Sequence, residues 1–221
     1  RTRFRGITVR EGLLLRGPAG WAEFSPFWDY DARESRPWYD AAVAGASSAW
    51  PSPVRDVVAV NCTVPAVDPE TAARIAGAGH GCRTAKVKVA EPGQTLADDE
   101  ARVAAVRDAL GPGGKVRVDA NGGWSVRDAL AALDVLDRAA GGLEYVEQPC
   151  RTVEELAEVR RGSRVPVAAD ESIRHAEDPY RVAALEAADI AVLKVQPLGG
   201  VAACLEIAER IGLPVVVSSA L

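Results

Sequence analysis

Seven short Val-rich runs recur along this chain, and the segments between them are patterned as helices. The runs are VVAVNCTV (57–64), TAKVKVA (84–90), KVRVDAN (115–121), LEYVEQP (143–149), VPVAADE (165–171), IAVLKVQP (190–197) and LPVVVSSA (213–220). Stretches such as DDEARVAAVRDAL and VRDALAALDVLDRA place apolar residues at helical spacing between them. The punctuation agrees: Ser125 is a predicted N-cap, Thr152 and Glu155 have the spacing of a capping box, and Gly111 and Gly212 fall where helices should stop. A strand that alternates with a helix returns to the same end of its sheet, so the sheet must be parallel. The polar residues Asp119, Glu147, Asp170 and Lys194 close four successive runs at steps of 28, 23 and 24 residues. So regular a unit predicts an α/β fold of the modified (β/α)8 barrel type, with seven strands visible, over an open doubly wound sheet.

The chain before residue 57 breaks this rhythm. RTRFRGITVREGLLLRGPAGWAEFSPF reads as a hairpin or meander, and a segment rich in Trp, Tyr and Pro follows it. The expected organisation is an incomplete α+β capping domain over residues 1–56 and a β/α barrel domain over 57–221. The eighth strand of a closed barrel is expected beyond VVVSSAL, since an open seven-stranded barrel leaves two bare edges.

With 221 residues, 48% hydrophobic and 26% charged, the chain is long and apolar enough for a substantial core. A net charge of -5 argues against a nucleic-acid or anionic-membrane surface, so the expected partner is a small molecule. No run is as long and apolar as a membrane span. The cysteines at 62, 82, 150 and 204 form no CxxC pair, which predicts buried reduced thiols and a cytoplasmic setting. Oligomeric state is not written in these features.

Of the 26 cationic side chains only Lys86, Lys88, Lys115 and Lys194 are lysines. Arginine stays charged at any working pH, whereas a desolvated or crowded lysine can release its proton, so positions that keep Lys stand out. Strand residues two apart share a face. Lys86 and Lys88 therefore point together, and Arg117, Asp119 and Asn121 share one face while Val116, Val118 and Ala120 take the other. Glu147, Asp170 and Lys194 end later strands, at the mouth where a parallel barrel does its chemistry. Asp119, Glu147 and Asp170 form an all-oxygen set suited to a hard cation, Mg²⁺ or Mn²⁺. Flanking lysines beside such an ion suit removal of a proton α to a carboxylate. Blander readings exist for each residue alone. The lysine pair can guard a sheet edge, single aspartates can cap helices, and Arg117 can serve only as an ion-pair partner. GPGGK (111–115) lacks phosphate-loop spacing and reads as a turn, Lys115 reads as surface, and His80 and His175 fall in loop-like contexts.

AKVKV, VDANGGW, YVEQP, AADES and VLKVQPLGG, in this order and spacing, resemble the muconate-lactonizing subgroup of the enolase superfamily. The resemblance implies a capping α+β domain on a modified barrel, and a Mg²⁺-dependent lyase. It also implies dehydration of 2-succinyl-6-hydroxy-2,4-cyclohexadiene-1-carboxylate in menaquinone biosynthesis. Lys88 would be the base, Lys86 its partner at the substrate carboxylate, and Lys194 the cation on the opposite side. Asp119, Glu147 and Asp170 would be metal ligands, and Arg117, Asn121, Ser218 and Ser219 substrate contacts. FSPFWDY (24–30) would close over the substrate. Racemisation of N-succinylamino acids, or dipeptide epimerisation, is the alternative within the same family, and a non-catalytic barrel scaffold is a more remote one.

Overall fold

A computed structural model of the chain describes residues 7–79, 81–174 and 178–220. RTRFRG at the start, His80 and His175 lie outside the described residues. The first two strands, β1 (Leu13–Gly17) and β2 (Gly20–Phe24), pair antiparallel from Leu13↔Phe24 to Gly17↔Gly20, which leaves Pro18 and Ala19 as the turn. The aromatic and Pro-rich stretch that follows is a helix, α1 (Ala32–Ser47), despite Pro37 in its interior. A capping box offsets the proline: Asp31 accepts from the Glu34 N–H while Glu34 accepts from the Asp31 N–H.

The second unit is the β/α repeat. Its strands and helices run β3 (Cys62–Val64), α2 (Pro69–Gly77), β4 (Thr84–Lys88), α3 (Leu96–Leu110), β5 (Lys115–Asp119), α4 (Val126–Ala140), β6 (Leu143–Glu147), α5 (Val153–Gly162) and β7 (Val167–Ala169). They continue with α6 (Glu171–Arg174), α7 (Arg181–Ala184), β8 (Ile190–Lys194), α8 (Val201–Arg210) and β9 (Val215–Ser218). Strands β3 to β9 form one parallel sheet whose spatial order is the chain order. Ser125 caps α4, Thr152 and Glu155 form the capping box of α5, and Gly111, at φ 70°, ends α3.

The first Val-rich run is shorter in structure than in sequence. Only Cys62–Val64 pair as a strand, while Val57, Val58 and Val60 are 83%, 66% and 69% exposed. Among the described residues β3 has a neighbour on one side only, so nothing supplies the ladder or cover that residues 57–60 need.

Alternation along the strands sorts the core into two layers. Val87, Val118, Val146, Val167 and Leu193 face the helices and meet Val103, Leu133, Leu136, Leu156 and Val159. Each such buried side chain stabilises the fold by roughly 1.5–3 kcal/mol. Tyr145, Ala168 and Val192 pack on the opposite face with Ile190 and Val216, and form the floor beneath the polar residues that end the same strands.

Candidate active site at the carboxyl ends of the strands

A cavity of about 320 Å³ opens above that floor, and Tyr145, Val192 and Val216 contribute to its lining. Its polar lining comes from five strands and the segments beside them: Thr63 from β3, Lys86 and Lys88 from β4, Glu147 from β6, Lys194 from β8 and Ser218 from β9, with Asn61 just before β3 and Asn121, Glu171, Arg174 and Ser219 beyond strand ends. In-register pairing sets much of this arrangement, because Lys88 stands opposite Asp119, Asp119 opposite Glu147, and Lys194 opposite Ser218.

The lysines are bound to the acids. Lys86 Nζ donates to both oxygens of Glu147 at 2.9 Å and lies 3.0 Å from Asp119 Oδ2. Lys88 Nζ donates to that same Asp119 oxygen at 2.6 Å and to Asn121 Oδ1 at 2.7 Å. Lys194 Nζ donates to Asp170 Oδ2 at 2.5 Å, and Arg174 Nε reaches Asp170 Oδ1 at 3.1 Å. Asp119, Glu147 and Asp170 are at most 1% exposed, so their charge depends on these contacts rather than on water.

Their protonation follows from how the cations are shared. Burial pulls the Lys86 ammonium down, but Asp119 and Glu147 outweigh it and hold it above the ordinary lysine range. Burial pushes Asp119 up, yet Lys86 and Lys88 together hold it below the usual carboxylate range. Glu147 has less compensation: burial and then the Asp119 charge push it up to about 7, with Lys86 only partly opposing them.

That imbalance tests whether a dication fits. The donors are oxygens alone, they come from successive strands, and the negative charge of Asp119 and Asp170 beside Glu147 is only partly offset by Lys86 and Lys194. Among the described residues, no three acidic, His or Cys side chains are gathered closely enough to grip an ion as they stand. The protein's own ammonium and guanidinium groups engage the carboxylates instead. The donor set fits a hard cation in kind, and a bound ion would take over contacts that Lys86 and Lys194 now make.

The family profile described as Enolase C-terminal domain-like matches residues 70–220, and the one described as Enolase N-terminal domain-like matches residues 1–46. The chain belongs to the enolase superfamily. Within this superfamily it is 66% identical over 220 residues to the o-succinylbenzoate synthase of Thermobifida fusca, a match covering 100% of this chain and 68% of the relative. The o-succinylbenzoate synthase of Mycolicibacterium smegmatis is 59% identical over 221 residues, again covering 100% of this chain and 68% of that one. Enolase-superfamily folds agree: the L-Ala-D/L-Glu epimerase of Bacillus subtilis superposes with a TM-score of 0.75 at 23% identity, over 93% of this chain and 73% of that one. A dipeptide epimerase of Enterococcus faecalis, complexed with Mg and L-Leu-L-Tyr, gives a TM-score of 0.64 at 30% identity, over 74% of this chain and 46% of that one. The α/β barrel architecture expected from the sequence is thus that of the superfamily.

Among the residues singled out from sequence, Lys86, Lys88, Lys194, Glu147, Asn121, Ser218 and Ser219 line the cavity, and Asp119 and Asp170 lie in contact with its lysines. Arg117 does not line it. Its guanidinium binds Glu144 and Asn61 and lies 4.8 Å from the centre of the Tyr145 ring. The register between β5 and β6 slips between Val116 and Arg117, and Glu144 is the extra residue of that irregularity. That irregularity brings Glu144 to the guanidinium, so Arg117 is an ion-pair partner beside the floor residue Tyr145.

Arg174 and Gln148 at the site escaped the sequence reading. Arg174 donates to Asp170, to Glu171 and to the Tyr30 hydroxyl. Its place four residues after Asp170, across one helical turn, is the signal that could have found it. Gln148, fully buried at φ 41°, accepts from the N–H groups of Asp170 and Ser172 and donates to Ser172 Oγ, which fixes the turn after β7. Tyr30 ends the aromatic segment expected to close over the site, whereas Trp28 in that segment is 82% exposed.

Proposed function

We propose that this chain dehydrates 2-succinyl-6-hydroxy-2,4-cyclohexadiene-1-carboxylate to o-succinylbenzoate, a step of menaquinone biosynthesis. The observation that carries the reading is the 66% identity, across the whole chain, to an o-succinylbenzoate synthase. The lysines and carboxylates around the cavity support it, because the reaction needs a base beside a charged, water-poor carboxylate site.

In this reading Lys88, as the free amine, takes the proton α to the substrate carboxylate. The C–H electron pair first forms a double bond to the carboxylate carbon. That pair then returns to form a double bond between the α-carbon and the neighbouring ring carbon as the C–O bond of that carbon breaks, and Lys88 returns its proton to the departing hydroxide, which leaves as water. The ring gains aromaticity. Lys194, across the cavity from β8, balances the negative charge that accumulates on the carboxylate, and Lys86 keeps a second positive charge beside it. Asp119, Glu147 and Asp170 would hold Mg²⁺, with Mn²⁺ as a substitute. Such an ion supplies positive charge against the carboxylate and lowers the cost of removing its α-proton. Asn121, Ser218 and Ser219 contact the rest of the substrate. Residues 1–56 belong to a unit capping the barrel formed from 57–221. The described cysteines are all free thiols, in keeping with a cytoplasmic setting.

A second reading, racemisation of an N-succinylamino acid or epimerisation of a dipeptide, has its own support. Lys88 and Lys194 both line the cavity, and dipeptide epimerases are among the similar solved structures. Assays of the full-length protein with each substrate separate the two. We expect Mg²⁺-dependent dehydration that a chelator abolishes and added Mg²⁺ restores. Racemisation without dehydration would overturn the first reading.

A further inference from the structure

The core stripe of α3 is half charged. Asp99, Arg102, Val103 and Val106 are all buried, and Arg102 is 1% exposed. Burying an ion pair is seldom the most stable choice, since apolar residues of similar volume often serve as well or better. What these two side chains hold is therefore informative.

The N–H of Val89 bonds to Asp119 on the β5 side of β4. Successive strand residues turn their backbone polar groups to opposite sides, so the Lys88 carbonyl and the Ala90 N–H face the β3 side. There the ladder has ended: β3 stops at Val64, opposite Val87. The ion pair supplies both missing partners. Arg102 Nη1 donates to the Lys88 carbonyl at 3.0 Å, and Asp99 Oδ2 accepts from the Ala90 N–H at 2.9 Å. The pair is itself closed by Arg102 Nη1 to Asp99 Oδ1 at 2.6 Å. Arg102 Nε anchors it to the Val67 carbonyl at 2.7 Å, and Arg102 Nη2 donates to Gln94. Ala90 adopts φ 59°, a left-handed conformation that a residue with a Cβ keeps only when its surroundings enforce it.

We infer that Arg102 and Asp99 are positioning residues for proton transfer: together they stand in for a strand on the open side of β4 and fix the backbone from which Lys88 reaches into the cavity. The inference rests on Lys88 being the base. Neither side chain touches the cavity. Their effect is on where Lys88 Nζ stands relative to the reacting carbon, and a misplacement of about 1 Å costs on the order of 100-fold in rate.

The test is a set of variants in the full-length protein. Asp99→Asn/Arg102→Met removes the donor to Lys88 without leaving a buried unpaired charge. It should fold, by circular dichroism, with kcat about 100-fold lower and KM within about twofold of wild type. Arg102→Lys, which keeps a charge and a donor, should recover at least about tenfold of that loss. A folded double variant with wild-type kcat, a loss that falls on KM, or no recovery in Arg102→Lys would overturn the inference. Should the double variant not fold, Asp99→Asn alone carries the test. It is expected to lose about tenfold in kcat at constant KM, and an unchanged kcat overturns the inference. Wild-type turnover separately judges the proposed reaction. If wild type racemises an N-succinylamino acid and does not dehydrate, Lys88 still moves a proton, and the same ratios are read on that substrate.

Discussion

A strand-end lysine serves as a base only if it can give up its proton, and the two lysines of β4 have different neighbours. Lys86 lies between two buried carboxylates, which hold it charged. Lys88 donates to the Asp119 oxygen that Lys86 also approaches and to the Asn121 amide oxygen. Lys88→Arg tests this division, because arginine keeps the charge and cannot act as a base at neutral pH. The expected result is a kcat lower by about 10² to 10⁴-fold, with circular dichroism and unfolding midpoint unchanged. Normal turnover would remove Lys88 from the mechanism. The inward residues at strand ends could be read from sequence because alternation and chain order alone place them. The partner of Arg117 could not, because an extra residue in the neighbouring strand brings Glu144 to it, and such a slip leaves no mark in the sequence pattern.

Helix ends show how far local chemistry can be read, and how it responds to acid. Asp68, Asp98 and Glu155 accept hydrogen bonds at the starts of α2, α3 and α5, and the partners at Thr71, Thr95 and Thr152 hold all three below the usual carboxylate range. A depressed carboxyl stabilises the fold above its unfolded-state value and loses that contribution as pH falls through the folded value. These helix starts should therefore weaken only at pH below the ordinary carboxylate range, not between pH 5 and 7. Thr152→Ala removes one cap and should cost about 1 kcal/mol in urea unfolding at neutral pH. A loss near zero would mean that packing of α5 alone sets its start. The caps of α4 and α5 were legible because Ser125 and the Thr152/Glu155 pair carry their own local signal. Helix α1 was not, since Pro37 and the aromatic residues argue against a helix while Asp31 and Glu34, with the spacing of a capping box, argue for one. The charged half of the α3 stripe was equally hidden. Asp99 and Arg102 have the spacing of core residues, but their burial follows from β3 ending early, a fact of tertiary pairing.

At the scale of the whole molecule, the N-terminal unit and the barrel meet at the candidate site. The Tyr30 hydroxyl accepts from Arg174 Nη1 at 3.0 Å, and the same guanidinium holds Asp170 and Glu171. Phe27, Tyr30 and Trp38 pack edge to face, with ring centroids 5.4 to 6.2 Å apart, so Tyr30 is tied to the helix that organises the N-terminal unit. A hydrogen bond to a charged donor contributes roughly 1.5–3 kcal/mol. Tyr30→Phe keeps the ring packing and removes the hydroxyl that accepts from Arg174, while Arg174 retains its carboxylates. If this contact holds the N-terminal unit over the cavity, its loss weakens substrate retention and leaves proton transfer intact. KM should then rise about tenfold with kcat within about twofold, and the unfolding midpoint should not move. A fall in kcat at constant KM would instead mean that Tyr30 acts through Arg174 on Asp170, and so on the charge at the reacting centre.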